Sequence, residues 1–328
     1  MNVRLFQTLL HSAFPALLLA LLAGCERQTG TPATAKAAGS GQSVPAADVL
    51  VTHPVLLEAA TAMTADTGIS VAAALPDPLD SRDWRPKAPS IRAMQQAKLV
   101  VMNGASWEPW TSRVSLPASR LVITSRPFTE ELIEVPDAVT HQHGPQGRHS
   151  HPGVIPSTWL SPTLLEAQAD ALQNSLLQQF PAHREVVNRN ATAWKTALQQ
   201  PRRLVQQLRE ATQMPEQKPF VISDSPLFLY LLRDLGWESL YLAGNEAGPA
   251  EPEQLQQLRE LSGKQPNTTL RLFLLSDQRP TDMDQAAANC GLQPLRLDPG
   301  LAAVSGKSIA QRLTGNLERL HEAVTPGR

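Results

Sequence analysis

Short apolar runs separated by helical patterns recur twice along this chain. That alternation restricts it to an α/β architecture with parallel sheets. In the first half the runs are Val49–Val51, Ile69–Leu75, Leu99–Met102 and Leu121–Thr124. A helical pattern extends to Ala65, and a second covers Ser90–Ala97, with Ser90 at a position suited to an N-cap. In the second half the runs are Phe220–Ile222, Leu240–Leu242, Leu270–Leu275 and Leu295–Leu297. Helical patterns over Pro226–Leu235, Glu253–Leu261 and Thr281–Asn289 lie between them, and an amphipathic stretch, Ser308–Val324, closes the chain. Between the halves, Thr163–Ala211 reads as mostly helical, with breaks near Pro181 and Pro201. Strands apolar at every position belong to parallel sheets covered on both faces. The expectation is two Rossmann-like α/β lobes joined by a long backbone helix, with a cleft between them.

The N-terminus adds a second constraint. Arg4 supplies a positive start, Phe14–Leu22 is almost wholly apolar, and Leu22-Ala23-Gly24-Cys25 resembles a bacterial lipobox. The apolar run is too short for a spanning helix, which needs about 20 residues. The expected organisation is a signal peptide over 1–24 and a flexible linker over 25–47 lipidated at Cys25. An N-terminal lobe over 48–160, a connecting helix over 161–213 and a C-terminal lobe over 214–328 follow. The linker, rich in Gly, Ser, Thr, Ala, Pro and Gln, cannot bury a core. This places the protein in the periplasm or cell envelope, held to a membrane by its lipid.

Charge and motifs exclude several function classes. The 29 basic and 30 acidic residues leave no basic excess for a nucleic-acid partner. Cys25 and Cys290 are the 2 cysteines; with Cys25 lipidated no intramolecular disulfide can form, and Cys290 reads as a small packed residue at a helix end. Gly300 to Ser308 misses the phosphate-loop spacing by one residue. No nucleophile elbow is present, and Ser223-Asp224-Ser225 has no histidine partner nearby in sequence, so an enzyme lacks its constellation. The metal-directed features are histidines. His141 and His143, with His149 and His151, put four imidazoles into a Gly- and Gln-rich loop at about 139–152. Such a tract suits loose metal capture. His53 follows the first strand and is weighed between a structural residue and a ligand.

Several stretches resemble one family, the periplasmic solute-binding proteins of zinc and manganese ABC uptake transporters, which include adhesin-type lipoproteins. They are Ala97–Gly104 followed by Trp107-Glu108-Pro109-Trp110, Trp159-Leu160-Ser161-Pro162, Ala250-Glu251-Pro252, Leu297-Asp298-Pro299-Gly300 and Asn316-Leu317-Glu318. The resemblance covers about Asp48 to Val324. It implies two lobes, a linking helix, and zinc or manganese held between the lobes for an inner-membrane permease. It also implies a monomer.

Residue by residue, the implied ligand set is altered. The first family histidine falls on Arg82 when the stretch is anchored on Trp84, and on Asp83 when it is anchored on Pro89-Ser90. The second falls on Ser157 and the third on Ser225. The acidic position is kept as Asp298. Serine hydroxyls are poor zinc ligands, and an arginine repels a cation. Candidate cleft ligands are therefore His53, Asp83 and Asp298, with an Arg82–Asp298 ion pair as a stand-in for the metal. The resemblance implies a metal carrier with an atypical or degraded cleft site. The alternative is a non-transport lipoprotein that uses the scaffold for protein interaction or another small ligand.

Overall fold

A computed structural model describes residues 44–75, 84–142, 148–243, 248–264, 270–301 and 306–325. Its first sheet holds β1 (Val49–Val51), β2 (Val71–Ala73), β3 (Leu99–Met102) and β4 (Leu121–Ile123), all parallel, in the order β2-β1-β3-β4. β1 and β3 are the central pair and are buried at every position, as their unbroken apolar sequences require. Two helices make the crossovers, α1 (Pro54–Met63) and α2 (Ala88–Gln96). The N-cap of α2 is Lys87, with no side-chain cap, and Ser90 lies inside the first turn rather than capping it. Pro89 explains the shift: a proline early in a helix fits its first turn, where N–H groups have no partner.

The second sheet repeats this plan. β7 (Phe220–Ser223), β8 (Ser239–Tyr241), β9 (Arg271–Ser276) and β10 (Gln293–Leu297) are parallel in the order β10-β9-β7-β8. Counted along the chain, each sheet runs second-first-third-fourth. Helices α6 (Leu229–Leu235), α7 (Pro252–Ser262), α8 (Asp282–Asn289) and α9 (Ile309–Val324) belong to this half. Gly236 ends α6 at φ 69°, the left-handed conformation in which glycine carries no Cβ penalty. Cys290 caps the end of α8 half-buried. Ser308 begins α9 in a reciprocal capping box with Gln311.

The connector is three helices rather than one: α3 (Pro162–Gln179), α4 (Arg184–Ala197) and α5 (Gln199–Ala211). Phe180–His183 interrupts the first junction, where Pro181 opens a 3-10 turn. The second break falls at Leu198, and Pro201 explains it: in the first turn of α5 it has no N–H to donate back to Ala197 O, so α4 ends there. α3 and α4 cover one face of the first sheet through Leu172, Leu176, Val187 and Ala191. A further apolar cluster joins Val55, Trp107 and Trp159 to Val205 and Leu208 of α5 and to Leu313 and Leu317 of α9. One continuous core thus crosses from one half to the other.

The His-rich stretch, expected as a loop, contains an antiparallel pair, β5 (Glu134–Gln142) and β6 (Arg148–Val154). Its base is clamped by the Tyr230 hydroxyl, which accepts from Ile133 N at 3.0 Å and donates to Ile155 O at 2.9 Å. No helix among the described residues is long and apolar enough to cross a membrane.

Candidate ligand cleft

In sheets of this order, ligands bind beyond the carboxyl ends of the strands, where the order reverses. Here those ends are the residues after β1 and β3 in one half, and after β7, β9 and β10 in the other.

After β1 come Thr52 and His53. His53 caps α1: its Nδ1 accepts from Val55 N at 3.3 Å, with Pro54 opening the helix. A neutral imidazole with Nδ1 accepting carries its proton on Nε2. That atom is buried and has no hydrogen-bond partner among the described residues. Burial, and then the charge of Arg312, push the His53 pKa down to about 3, so the ring is neutral at physiological pH.

After β3 the backbone turns through three consecutive left-handed residues, Gly104 (φ 75°), Ala105 (47°) and Ser106 (64°). A Cβ on Gly104 would stand 2.3 Å from Ser125 Oγ and 2.6 Å from Ile123 Cγ2, so only glycine fits. Glu108 holds this strained turn. Its carboxylate accepts from Asn103 N (2.8 Å), Gly104 N (2.9 Å) and the Thr52 hydroxyl (2.5 Å). Burial raises the Glu108 pKa to about 7, against the pull of those donors. The turn delivers Trp107 onto His53, with ring centroids 5.1 Å apart. Trp159 packs on the same imidazole at 4.2 Å.

Trp159 also reaches the second half, donating from Nε1 to Pro299 O at 2.9 Å. This puts the end of β10 against the end of β1. Asp298 follows β10, and α9 clasps its backbone: Asn316 Oδ1 accepts from Asp298 N (2.8 Å) and Asn316 Nδ2 donates to Asp298 O (2.9 Å). Asp298 Oδ1 accepts from Gly300 N at 2.7 Å. The same oxygen faces the Arg312 guanidinium at 3.9 Å, both side chains being nearly buried. Glu58 of α1 completes the set. Its carboxylate accepts from Ile309 N, the first residue of α9, at 3.0 and 3.3 Å, and is also hydrogen-bonded by the Trp194 side chain. Burial raises its pKa.

Ser157 and Ser225 are brought together, but on backbone. Ser157 Oγ donates to Leu227 O at 2.6 Å and Ser225 Oγ accepts from Leu227 N at 3.3 Å. His53 and Asp298 lie in one cleft. Among the described residues, no three His, Cys, Asp or Glu side chains converge where they could hold a metal ion. Cys25, Arg82, Asp83 and His143 lie outside the described residues, so the Arg82–Asp298 pair does too. The backbones of His141, His149 and His151 lie in β5 and β6, where the register sets His141 opposite His149 and His151 opposite Val139.

Sequence reasoning missed Arg312 and Glu58. For Arg312 a signal exists: with Asn316 it interrupts the apolar stripe Ile309, Leu313, Leu317, Leu320. Glu58 carries none, since an acidic residue within a helix is ordinarily solvated.

Two sheets of one strand order, joined by packed helices and meeting at their strand ends, define the class: a two-lobed α/β solute-binding protein. The chain belongs to the ZnuA family, described as zinc-uptake complex component A, periplasmic, whose model matches residues 49–323. It is 24% identical over 203 residues to the iron-binding protein YfeA of Yersinia pestis, covering 59% of this chain and 58% of that protein. It is 24% identical over 169 residues to the zinc-binding lipoprotein AdcA of Streptococcus pneumoniae, covering 50% of this chain and 32% of AdcA. The chain therefore spans less than two thirds of these relatives. Among solved structures, the metal-dependent lipoprotein YcdH of Bacillus subtilis shares the fold at TM-score 0.65 with 20% identity, over 84% of this chain and 98% of that one. A structure of ZnuA matches at TM-score 0.61 with 22% identity, over 86% and 100%.

Proposed function

We propose that this protein is the substrate-binding component of a zinc- or manganese-type ABC uptake system. It is tethered by lipid at Cys25 on the periplasmic side, works as a monomer and hands its cargo to an inner-membrane permease. It is a carrier and not an enzyme. The observation that carries this reading is the family match across both lobes and the connector, residues 49–323. The names of metal-binding relatives, for iron in YfeA and zinc in AdcA, support metal as cargo. The first capture point in this reading is the histidine tract, whose register pairs His141 with His149, joined by His143 and His151. The cleft then acts as an atypical site, with His53, Asp83 and Asp298 as its candidate donors.

A second reading has its own support. Ser157 and Ser225 are engaged with Leu227, and Asp298 faces Arg312. This favours a scaffold that has left metal transport for another ligand or a protein partner. Isothermal titration of zinc and of manganese into the body from residue 42, with and without residues 139–152, separates the two. Saturable binding by the intact body supports the carrier. Heat-silent titrations with both metals sink it and leave the scaffold.

A further inference from the structure

Arg312 is a buried cation beside the cleft residue Asp298. It projects from the first turns of α9, and its side chain is 5% exposed. It meets Asp298, at the end of β10. On the first-lobe side, Ile309, one turn earlier on α9, donates its backbone N–H to Glu58 of α1, and Pro299, next to Asp298, accepts from Trp159. Glu58 and His53 belong to the first lobe, Asp298 and Arg312 to the second. A buried carboxylate needs a cation or several donors near it. A divalent cargo ion between two lobes would supply that charge when bound. Here the chain supplies it permanently.

We propose that Arg312 is a built-in cation that fixes the Asp298–Pro299 turn against Trp159 of the first lobe and closes this cleft to free divalent metal ions. The absence of any convergent trio of His, Cys, Asp or Glu among the described residues accords with this. So does the state of His53, whose Nδ1 is engaged by Val55 N–H and whose free nitrogen carries the proton, so that a donor rather than a lone pair is presented. The inference goes beyond the carrier reading and departs from it at the cleft, leaving metal to the histidine tract. It also survives that reading's failure, because it concerns what shuts the cleft.

The test uses the body from residue 42 with His141, His143, His149 and His151 replaced by serine, so that the tract binds nothing. Zinc and manganese titrations of this protein should show no one-to-one site. The second readout is exchange of the Trp159 indole N–H, which bridges the lobes to Pro299 O. Arg312→Met should raise its exchange rate by about tenfold or more, as expected for a lost local closing contact. Arg312→Lys, keeping the charge, should restore most of the protection. Asp298→Asn should loosen it partly, and it serves as the variant to read if Arg312→Met does not fold. Two results overturn the proposal. One is tight one-to-one metal binding that Asp298→Asn abolishes, since the ion would then be displacing Arg312. The other is unchanged Trp159 protection in folded Arg312→Met or, where that variant does not fold, in Asp298→Asn.

Discussion

His53 shows how one residue can be visible in sequence while its state is not. Its place after an apolar strand and before Pro54 marks it as a strand-end residue. That it caps α1 through Nδ1, and so keeps Nε2 protonated, depends on burial among Trp107, Trp159 and the α9 cation. The pH consequence has a definite sign. The folded-state pKa of about 3 lies below the ordinary histidine value of 6.5, so the stability tied to neutral His53 is present above pH 6.5 and is lost as pH falls toward 3. Glu108 runs the other way, its pKa raised to about 7 from 4.5, so its contribution is greatest below pH 4.5 and fades as pH rises through 7. His53→Asn keeps a good N-cap and removes only the first effect. In urea unfolding, the native chain should lose about 2 kcal/mol relative to His53→Asn between pH 7 and pH 4.5. A constant gap would mean that His53 titrates alike in the folded and unfolded chain. Asp298 was legible from its motif. Arg312 leaves only the weaker signal of an interrupted apolar stripe, because a lone arginine there ordinarily reaches solvent.

Elements were more legible than residues wherever burial on both faces forces apolar sequence. β1, β3, β7 and β9 stand where their apolar runs place them, because a central parallel strand has no polar face to confuse the pattern. The β5–β6 pair carries no strand signature in the sequence, for a physical reason. Pro136 falls within the irregular register between Val135 and Val139, and the strand beyond it is His- and Thr-bearing rather than alternating. What fixes this hairpin lies far away in sequence, at Tyr230 on α6. Tyr230→Phe leaves the Ile133 N–H without its acceptor and the Ile155 carbonyl without its donor. The expected cost is about 1–3 kcal/mol, with faster amide exchange at the base of β5–β6 and little change in the central strands. Equal loosening of all elements would show that Tyr230 acts through general packing instead.

At the scale of the molecule, the two halves share a strand order, which invites the view that each is an independent unit. The core argues otherwise. Val55, Trp107 and Trp159 of the first half lie in one apolar cluster with α5, α9 and strands of the second. The Trp159–Pro299, Ser157–Leu227, Glu58–Ile309 and Ser161–Asp234 hydrogen bonds cross the same boundary. Separating the halves would expose those two tryptophans, each 2% exposed or less, and leave several buried polar groups unpaired. Burying a large apolar side chain contributes about 1.5–3 kcal/mol, so the shared cluster outweighs what a lone hydrogen bond could supply. Neither half can then lose its fold without weakening the other. Urea unfolding of the body should be a single transition, with far-ultraviolet circular dichroism and tryptophan fluorescence giving the same midpoint. Fluorescence that changes first, with helix content intact, would mean that the lobes part before either unfolds, and that the boundary behaves as a hinge surface rather than as core. Coincident transitions would place this molecule among scaffolds whose cleft opens only at a cost near that of global unfolding, the behaviour expected if its closing charge is part of its own chain.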